Sequence, residues 1–387
     1  MIKLLTVIGA RPQIIKAAAF SRAVALHNAA RPESPVRELI LHTGQHYDNN
    51  MSGVFFTEMG IPQPDYNLGV GSGKHGEQTA RMIAGIEQVL TGLIPNSDGE
   101  TCSNWDGVVL YGDTNSTLAG AVAASKLHIP VYHIEAGLRS FNMAMPEEVN
   151  RIVCDQLSHI LFAPTQTAVD NLHREGFNSK DKAVLADGKG RKVLNCGDVM
   201  YDNTLYFSKK AVRPNLEAAG LNSNEEFVLA TVHRQENTDD PKRLKNIFSA
   251  LSAIAEEIPV VLPLHPRTAK VLQANNVDTS KLTIIPPASY LETLYLEKNA
   301  SMVLTDSGGV QKEAFFLETP CIILRDETEW VEIVNHGAGV IAGADYGNIL
   351  SAYKKLKGKS VKFPRLFGEG NAAERILDAI IESNYEI

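Results

Sequence analysis

Four acids in three segments stand where side chains could move protons. Asp113 closes an apolar run in Tyr111-Gly112-Asp113-Thr114-Asn115, and Glu135 closes the next in His133-Ile134-Glu135-Ala136-Gly137-Leu138-Arg139. Glu147 and Glu148 follow in Met145-Pro146-Glu147-Glu148-Val149-Asn150-Arg151. Taken singly, each reads as a helix cap or a surface charge. Acids at the ends of successive strands, however, converge on one mouth, which is the arrangement general acid–base chemistry needs. Two other segments suit an anion. Gly9-Ala10-Arg11-Pro12-Gln13-Ile14-Ile15-Lys16 follows the first apolar run and opens a helix, so Arg11 and Lys16 place cations at a helix N-terminus. Thr305-Asp306-Ser307-Gly308-Gly309-Val310-Gln311-Lys312-Glu313 passes from an apolar strand through Ser-Gly-Gly into a helix. There Ser307, Gly308 and Gly309 let backbone N–H groups approach a phosphate. Glu313, about a turn further on, could accept from ribose hydroxyls. Neither segment is a dinucleotide fingerprint or a Walker loop, since the glycine and lysine spacings are wrong. His233 and His265 each follow an apolar run, and no cysteine or H-x-x-x-H spacing makes either a zinc ligand. They could contact a substrate or hydrogen-bond locally.

Elements with carboxyl ends facing one way must position these residues. Short β-branched runs at 3–8, 38–43, 107–111, 131–135 and 160–163 alternate with helical patterns, and the order restarts at 227–232, 260–264, 282–285, 302–305 and 321–324. Alternation of this kind predicts βαβ units and parallel sheets. The expected class is α/β with two doubly wound Rossmann-like domains, the boundary falling at 200–225. Residues 95–106 and 187–192 read as surface loops. Ligands of open α/β sheets bind beyond the strands' carboxyl ends, so the chemistry is expected in the cleft between the domains.

The chain has 387 residues, 44% hydrophobic and 21% charged. That exceeds the roughly 250–300 residues at which single cores stop growing, which also favours two domains. A formal charge of −8 argues against nucleic acid or an anionic membrane as the main partner. Cys102, Cys154, Cys196 and Cys321 lie far apart and read as free thiols of a reducing compartment. No apolar run approaches the roughly 20 residues of a membrane span, and the expectation is a cytoplasmic protein.

Together these segments resemble the non-hydrolysing UDP-N-acetylglucosamine 2-epimerases, essentially end to end, from Gly9-Ala10-Arg11-Pro12 to Gly368-Glu369-Gly370-Asn371-Ala372. The most specific matches are Gly112-Asp113-Thr114, the His133–Arg139 and Pro146–Arg151 motifs, and Thr305-Asp306-Ser307-Gly308-Gly309. Arg325-Asp326-Glu327-Thr328-Glu329 fits as well. The resemblance implies the glycosyltransferase-B fold, usually a homodimer, with an N-terminal domain over 1–205 that the last helix (about 368–387) rejoins, and a UDP-binding domain over 206–367. It implies an isomerase working with no metal and no nicotinamide. UDP is eliminated to leave a glycal-like intermediate, then re-added with protonation of C2 from the other face. In that reading Asp113, Glu135 and Glu147 are the acid/base candidates, and His233 and Arg11 meet the phosphates with the Ser307–Gly309 turn. Lys16 and Arg151 support the carboxylates or the substrate, Glu313 holds ribose, and His265 is a further substrate contact.

Some positions depart from the commonest family pattern. Ala10 and Gln13 replace Thr and Glu, Trp330-Val331 replaces Arg-Pro, and Lys312 stands where an acid is frequent. Residues 45–51 and 74–76 differ from those of epimerases activated by a second UDP-N-acetylglucosamine. These departures resemble the branch acting on UDP-2,3-diacetamido-2,3-dideoxy-glucuronate. The expected reaction is therefore UDP-N-acetylglucosamine to UDP-N-acetylmannosamine, with the diacetamido-glucuronate as the alternative substrate. A UDP-sugar glycosyltransferase is the rival of another class, with a hydrolysing epimerase and a non-catalytic sensor as further rivals.

Overall fold

The computed structural model describes residues 1–44, 60–177, 190–222 and 224–385; the 45–51 stretch and residues 187–189 lie outside these. The chain divides into two compact units. One comprises 1–203 with 365–387, the other 204–364.

The first unit is built on a seven-stranded sheet, parallel throughout, with order β3-β2-β1-β4-β5-β6-β7. Its strands are β1 (Ile2–Ile8), β2 (Val36–His42), β3 (Tyr66–Asn67), β4 (Gly107–Tyr111), β5 (Val131–Ile134), β6 (Ile160–Ala163) and β7 (Lys192–Asn195). β4 is buried at every position because helices cover both faces, and its Gly-Val-Val-Leu-Tyr reads as a continuous apolar run. Between the strands run α1 (Arg11–Ala30), α2 (His75–Leu90), α3 (Asn115–Lys126), α4 (Pro146–Leu157), α5 (Gln166–Arg174) and α6 (Val199–Phe207), the last crossing the division between the units. α3 is rich in small residues, Ala119, Ala121, Ala123 and Ala124 being fully buried, which lets it lie close on the sheet beside Met82 and Ile86 of α2.

The second unit repeats the plan with six parallel strands in the order β10-β9-β8-β11-β12-β13. These are β8 (Val228–Thr231), β9 (Val260–Pro263), β10 (Thr283–Ile285), β11 (Met302–Thr305), β12 (Cys321–Ile323) and β13 (Gly339–Ile341). Strand periodicity divides its core. Val228, Ala230, Leu262, Met302 and Leu304 pack on one face with Leu244, Phe248 and Leu251. Leu229, Val261, Val303, Cys321 and Ile323 pack on the other with Leu296 and Ala314. Its helices are α7 (Gln235–Thr238), α8 (Pro241–Ile254), α9 (Pro266–Ala274), α10 (Tyr290–Asn299), α11 (Gly308–Phe316), α12 (Val331–Asn335) and α13 (Tyr346–Leu356).

α14 (Ala372–Tyr385) belongs to the first unit and packs on α1. Its first turn is capped by Asp202, which accepts from Ala372 N and Ala373 N at 3.1 and 2.7 Å. Three strands lie outside the sequence expectation. β3, β7 and β13 have two to four residues each, too few to show a period, and Lys192, expected in a loop, opens β7. The run at 131–135 ends one residue early, because Glu135 adopts φ +71°. The four cysteines are free thiols, three of them buried. Among the described residues no helix is long and apolar enough to cross a membrane.

Glu38 of β2 accepts from Thr6 Oγ1 at 2.6 Å, and burial pushes its carboxyl up to about 7 against that bond. A raised carboxyl contributes stability that is complete below about pH 4.5 and is lost as pH climbs through about 7. Glu38→Gln should therefore gain on the order of 2 kcal/mol over wild type at pH 8 and nothing at pH 4.5, read by urea unfolding at both values.

Candidate active site

Both strand orders reverse direction at an inner strand pair, β1/β4 in one unit and β8/β11 in the other, and ligands of open α/β sheets bind beyond the carboxyl ends there. In the first unit, three adjacent strands deliver three motifs to that edge. β1 runs into Gly9-Ala10-Arg11, β4 into Gly112-Asp113, and β5 into Glu135.

The turn after β1 has no room for a side chain. A Cβ on Gly9 would lie 2.0 Å from Ser116 Oγ and 2.3 Å from Thr43 Oγ1. Ala10 cannot cap α1, and Gln13 does so instead, its Oε1 accepting from Gly9 N (2.9 Å) and Ala10 N (3.2 Å). Its Nε2 donates to Tyr111 O (2.9 Å) and Thr117 Oγ1 (3.0 Å), bonds a glutamate could not make. The departure at Gln13 thus ties the first turn to the end of β4. Arg11 lies exposed at the head of α1.

Lys16, on the second turn of α1, forms an ion pair with Glu135, both side chains being largely buried. Gly112 joins this pair to the next acid. A Cβ there would sit 3.1 Å from both Glu135 Oε2 and Lys16 Nζ, and its φ of +64° is one glycine adopts without strain. Asp113 pairs with Arg151 of α4, and its backbone carbonyl accepts from Asn150 Nδ2 at 2.9 Å. Arg151 also pairs with Glu148, whose carboxylate accepts from Ser140 N and Phe141 N, each at 3.0 Å. Burial works against the Glu148 charge, but the Ser140 N–H, Arg151 and the Phe141 N–H together hold its carboxyl below the usual range. Arg11, Lys16, Asp113, Glu135 and Arg151 thus share one edge. Glu147 is exposed on the first turn of α4 with no ion-pair or hydrogen-bond partner among the described residues.

The second unit presents a different surface. Asp306, fully buried, accepts from His233 N (3.1 Å), Arg234 N (3.0 Å) and Asn237 Nδ2 (3.1 Å), and lies 3.3 Å from His233 Nδ1. It fixes the turn that leaves His233 just over half exposed. Ser307 caps α11, its Oγ accepting from Val310 N. Gly308 and Gly309 follow, and a Cβ on either would meet nothing nearer than 3.6 Å. Packing therefore does not demand these glycines, and the space over the helix N-terminus stays open to a ligand. Arg325 pairs with Glu329 (2.9 Å), and Trp330 Nε1 faces Gly308. Lys312 Nζ lies 4.0 Å from the Trp330 ring centroid, so two departures from the family pattern touch each other. Glu313 is buried rather than presented at the surface, beside Tyr290 and Glu297. Burial and the Glu313 charge hold the Glu297 carboxyl well above its usual range. His265 caps its own helix, its Nδ1 accepting from Arg267 N at 3.4 Å. Among the described residues no three His, Cys, Asp or Glu side chains are grouped to hold a metal ion.

Known proteins with this arrangement are identifiable. The profile of the family described as UDP-N-acetylglucosamine 2-epimerase matches residues 28–381. The chain belongs to this family. It is 49% identical over 378 residues to the UDP-2,3-diacetamido-2,3-dideoxy-D-glucuronate 2-epimerase of Pseudomonas aeruginosa, covering 97% of this chain and 98% of that one. The crystal structure of the Methanocaldococcus jannaschii UDP-GlcNAc 2-epimerase with UDP-GlcNAc and UDP superimposes with a TM-score of 0.79 at 40% identity, covering 98% of this chain and 100% of that one. The Neisseria meningitidis enzyme bound to UDP-GlcNAc gives 0.81 at 29%, with the same coverage. The 2-epimerases are isomerases, so this family member is an enzyme of that class, and its two Rossmann-like sheets are those of the expected glycosyltransferase-B type.

Sequence reasoning passed over Asp306, although it lies inside a quoted motif, because a lone acid before Ser-Gly-Gly signals nothing about the donors around it. Asp306→Asn would set an amide against those donors and should cost about 2–4 kcal/mol. Urea unfolding followed by Trp330 in a Trp105→Phe background, the chain having two tryptophans, reads that loss.

Proposed function

We propose that this family member inverts C2 of a UDP-linked 2-acetamido sugar without hydrolysis, taking UDP-N-acetylglucosamine to UDP-N-acetylmannosamine for surface polysaccharide. The carrying observation is that Asp113 and Glu135 stand together at Gly112, each ion-paired with its own cation.

The C2 proton is not acidic, since no carbonyl adjoins it. One carboxylate removes it as the C1–oxygen bond breaks, the electron pair forming a C1=C2 bond and the C1–O electrons leaving with UDP. Re-addition of UDP at C1, with protonation of C2 on the opposite face, completes the inversion with atoms conserved. Asp113 and Glu135 are the proposed acid and base, and Glu147 the third candidate. Developing charge on the departing diphosphate calls for fixed donors. Arg11, His233 and the N–H groups at Ser307, Gly308 and Gly309 are proposed for it. Arg151 and Lys16 keep the carboxylates in place. Glu313 is proposed for the ribose and His265 for a more distant contact. The M. jannaschii and N. meningitidis complexes with UDP-GlcNAc support the substrate class. The reading carries with it a cytoplasmic homodimer, since nucleotide sugars are made and used in that compartment.

A second substrate, UDP-2,3-diacetamido-2,3-dideoxy-glucuronate, is favoured by the 49% identity to the P. aeruginosa enzyme and by the Lys312–Trp330 contact beside Gly308. Proton NMR in heavy water on each sugar tests both. Growth of a manno isomer carrying deuterium at C2, with UDP still attached, is the expected result. Free sugar and UDP would point to hydrolysis, and silence on both substrates would remove the epimerase reading. Asp113→Asn and Glu135→Gln should each cut turnover by about 10³-fold or more, with UDP affinity within about threefold of wild type. Gly308→Ala should do the reverse, leaving stability within about 0.5 kcal/mol while weakening UDP binding at least about tenfold by calorimetry.

A further inference from the structure

We infer that His133 is a positioning residue for the reaction, a fully buried imidazolium that grips the Gly112 carbonyl and thereby sets the places of Asp113 and Glu135. The inference rests on the roles proposed above for those two carboxylates.

His133 sits on β5 with its ring wholly out of solvent. Its Nε2 lies 2.8 Å from Gly112 O, and a carbonyl can only accept, so Nε2 bears a proton. Its Nδ1 lies 2.7 Å from Asp155 Oδ1. The other Asp155 oxygen meets Arg139 Nη1 at 2.8 Å and Gly137 N at 3.2 Å, so this side chain is an ionised acceptor and Nδ1 bears a proton as well. Both nitrogens are donors, and the ring is a cation. Arg139 also pairs with Glu175 at 2.6 Å, so the chain Glu175–Arg139–Asp155–His133 alternates in sign and sums to zero, buried from Arg139 to His133 and reaching solvent at Glu175. Burial opposes the His133 charge, and the Cys154 sulfur and the Asp155 carboxylate more than offset it, holding the ring well above the usual histidine range. Asp155 is held low against burial by His133 and Arg139.

Gly112 precedes Asp113 in the chain and packs beside Glu135. Its N–H donates to Ile134 O at 3.1 Å, and the next carbonyl, that of Asp113, takes Asn150 Nδ2. With His133 on the Gly112 carbonyl, consecutive peptide groups are fixed immediately before and after the Asp113 Cα. The Lys16–Glu135 pair lies against the same turn, since a Cβ on Gly112 would sit 3.1 Å from both of its charged atoms, so a shift of this turn bears on both acids at once. A displacement of about 1 Å at reacting groups costs on the order of 100-fold in rate.

Two amide replacements separate positioning from bulk stability. The His133→Gln amide reaches the Nε2 place and keeps a donor on Gly112, whereas that of His133→Asn reaches only the Nδ1 place and keeps Asp155. Asn should lose about 100-fold in kcat with KM and UDP affinity unchanged, and Gln should stay within about tenfold of wild type. Equal losses in the two variants, tracking equal losses of urea stability, would overturn the positioning role. Nitrogen-15 NMR of the histidine rings at pH 8 is the independent reading. The signal that Gln removes should show both nitrogens protonated, and a neutral ring would overturn the inference. Wild-type silence on both sugars would strike the proposed function, while the nitrogen spectrum would still decide the charge.

Discussion

Two carboxylates stand at neighbouring strand ends on one edge of a sheet, Glu135 buried and Asp113 partly so, each with its own cation, and the first unit is organised around that pairing. Lys16 comes from α1 and Arg151 from α4, so the acids on β4 and β5 are neutralised from separate helices. Burying such pairs gains little stability, because desolvation offsets the Coulomb attraction. What the pairs supply is place. Each cation arrives on a helix anchored elsewhere, Arg151 by a second bond to Glu148, and Glu148 in turn by the backbone of residues 140 and 141. Removing Lys16 would leave the buried Glu135 charge uncompensated, and the helices that bring the cations are therefore as much a part of the site as the acids.

Two of the five described non-glycine residues with positive φ belong to this network. Glu135 is held at φ +71° and Phe141 at +57°, positions an ordinary residue occupies only when its surroundings insist. The surroundings are specific. Glu135 N and Ala136 N both donate to Phe162 O, and Phe141 N donates to Glu148. Leaving the strand at Glu135 turns its side chain back towards Lys16 instead of letting it follow the alternation of β5. Geometry suited to chemistry is thus imposed by the β5–β6 edge and the start of α4, against local preference.

How much of this could be read from the residues alone depended on whether the signal was local. β-branched runs and the motifs at their ends are local, so the α/β class and the meeting of Asp113, Glu135, Arg11 and Lys16 at one edge were legible. β3, β7 and β13 were not, because their short pairings are decided by neighbouring strands rather than by their own pattern. Nor was the His133–Asp155 bond, whose partners lie 22 residues apart on a strand and a helix. The burial of Glu313 was not legible either. Its position a turn into α11 could be read from the residues, but not that it lies buried beside Tyr290 and Glu297. Gln13 was legible as a departure but not as a compensation, since only the fold shows that it caps the helix Ala10 cannot cap.

The contrast between the units bears on the proposed elimination. The edge of the first unit carries full charges on side chains, while the second unit presents backbone N–H groups on glycines and a histidine fixed by Asp306. Proton transfer needs groups whose charge can change, and carboxylates beside cations meet that need. Loss of UDP needs the opposite, donors that do not reorganise while negative charge moves onto the diphosphate. Only interactions that strengthen as the diphosphate departs accelerate the bond-breaking step, so Arg11 and the N–H groups must be aimed at where the charge appears. Preoriented N–H dipoles over an open glycine turn are matched to charge that appears only as the bond breaks. Beside that turn the Lys312 charge is drawn to the Trp330 ring, and the charges of Arg325 and Glu329, next to Gly308, are spent on each other.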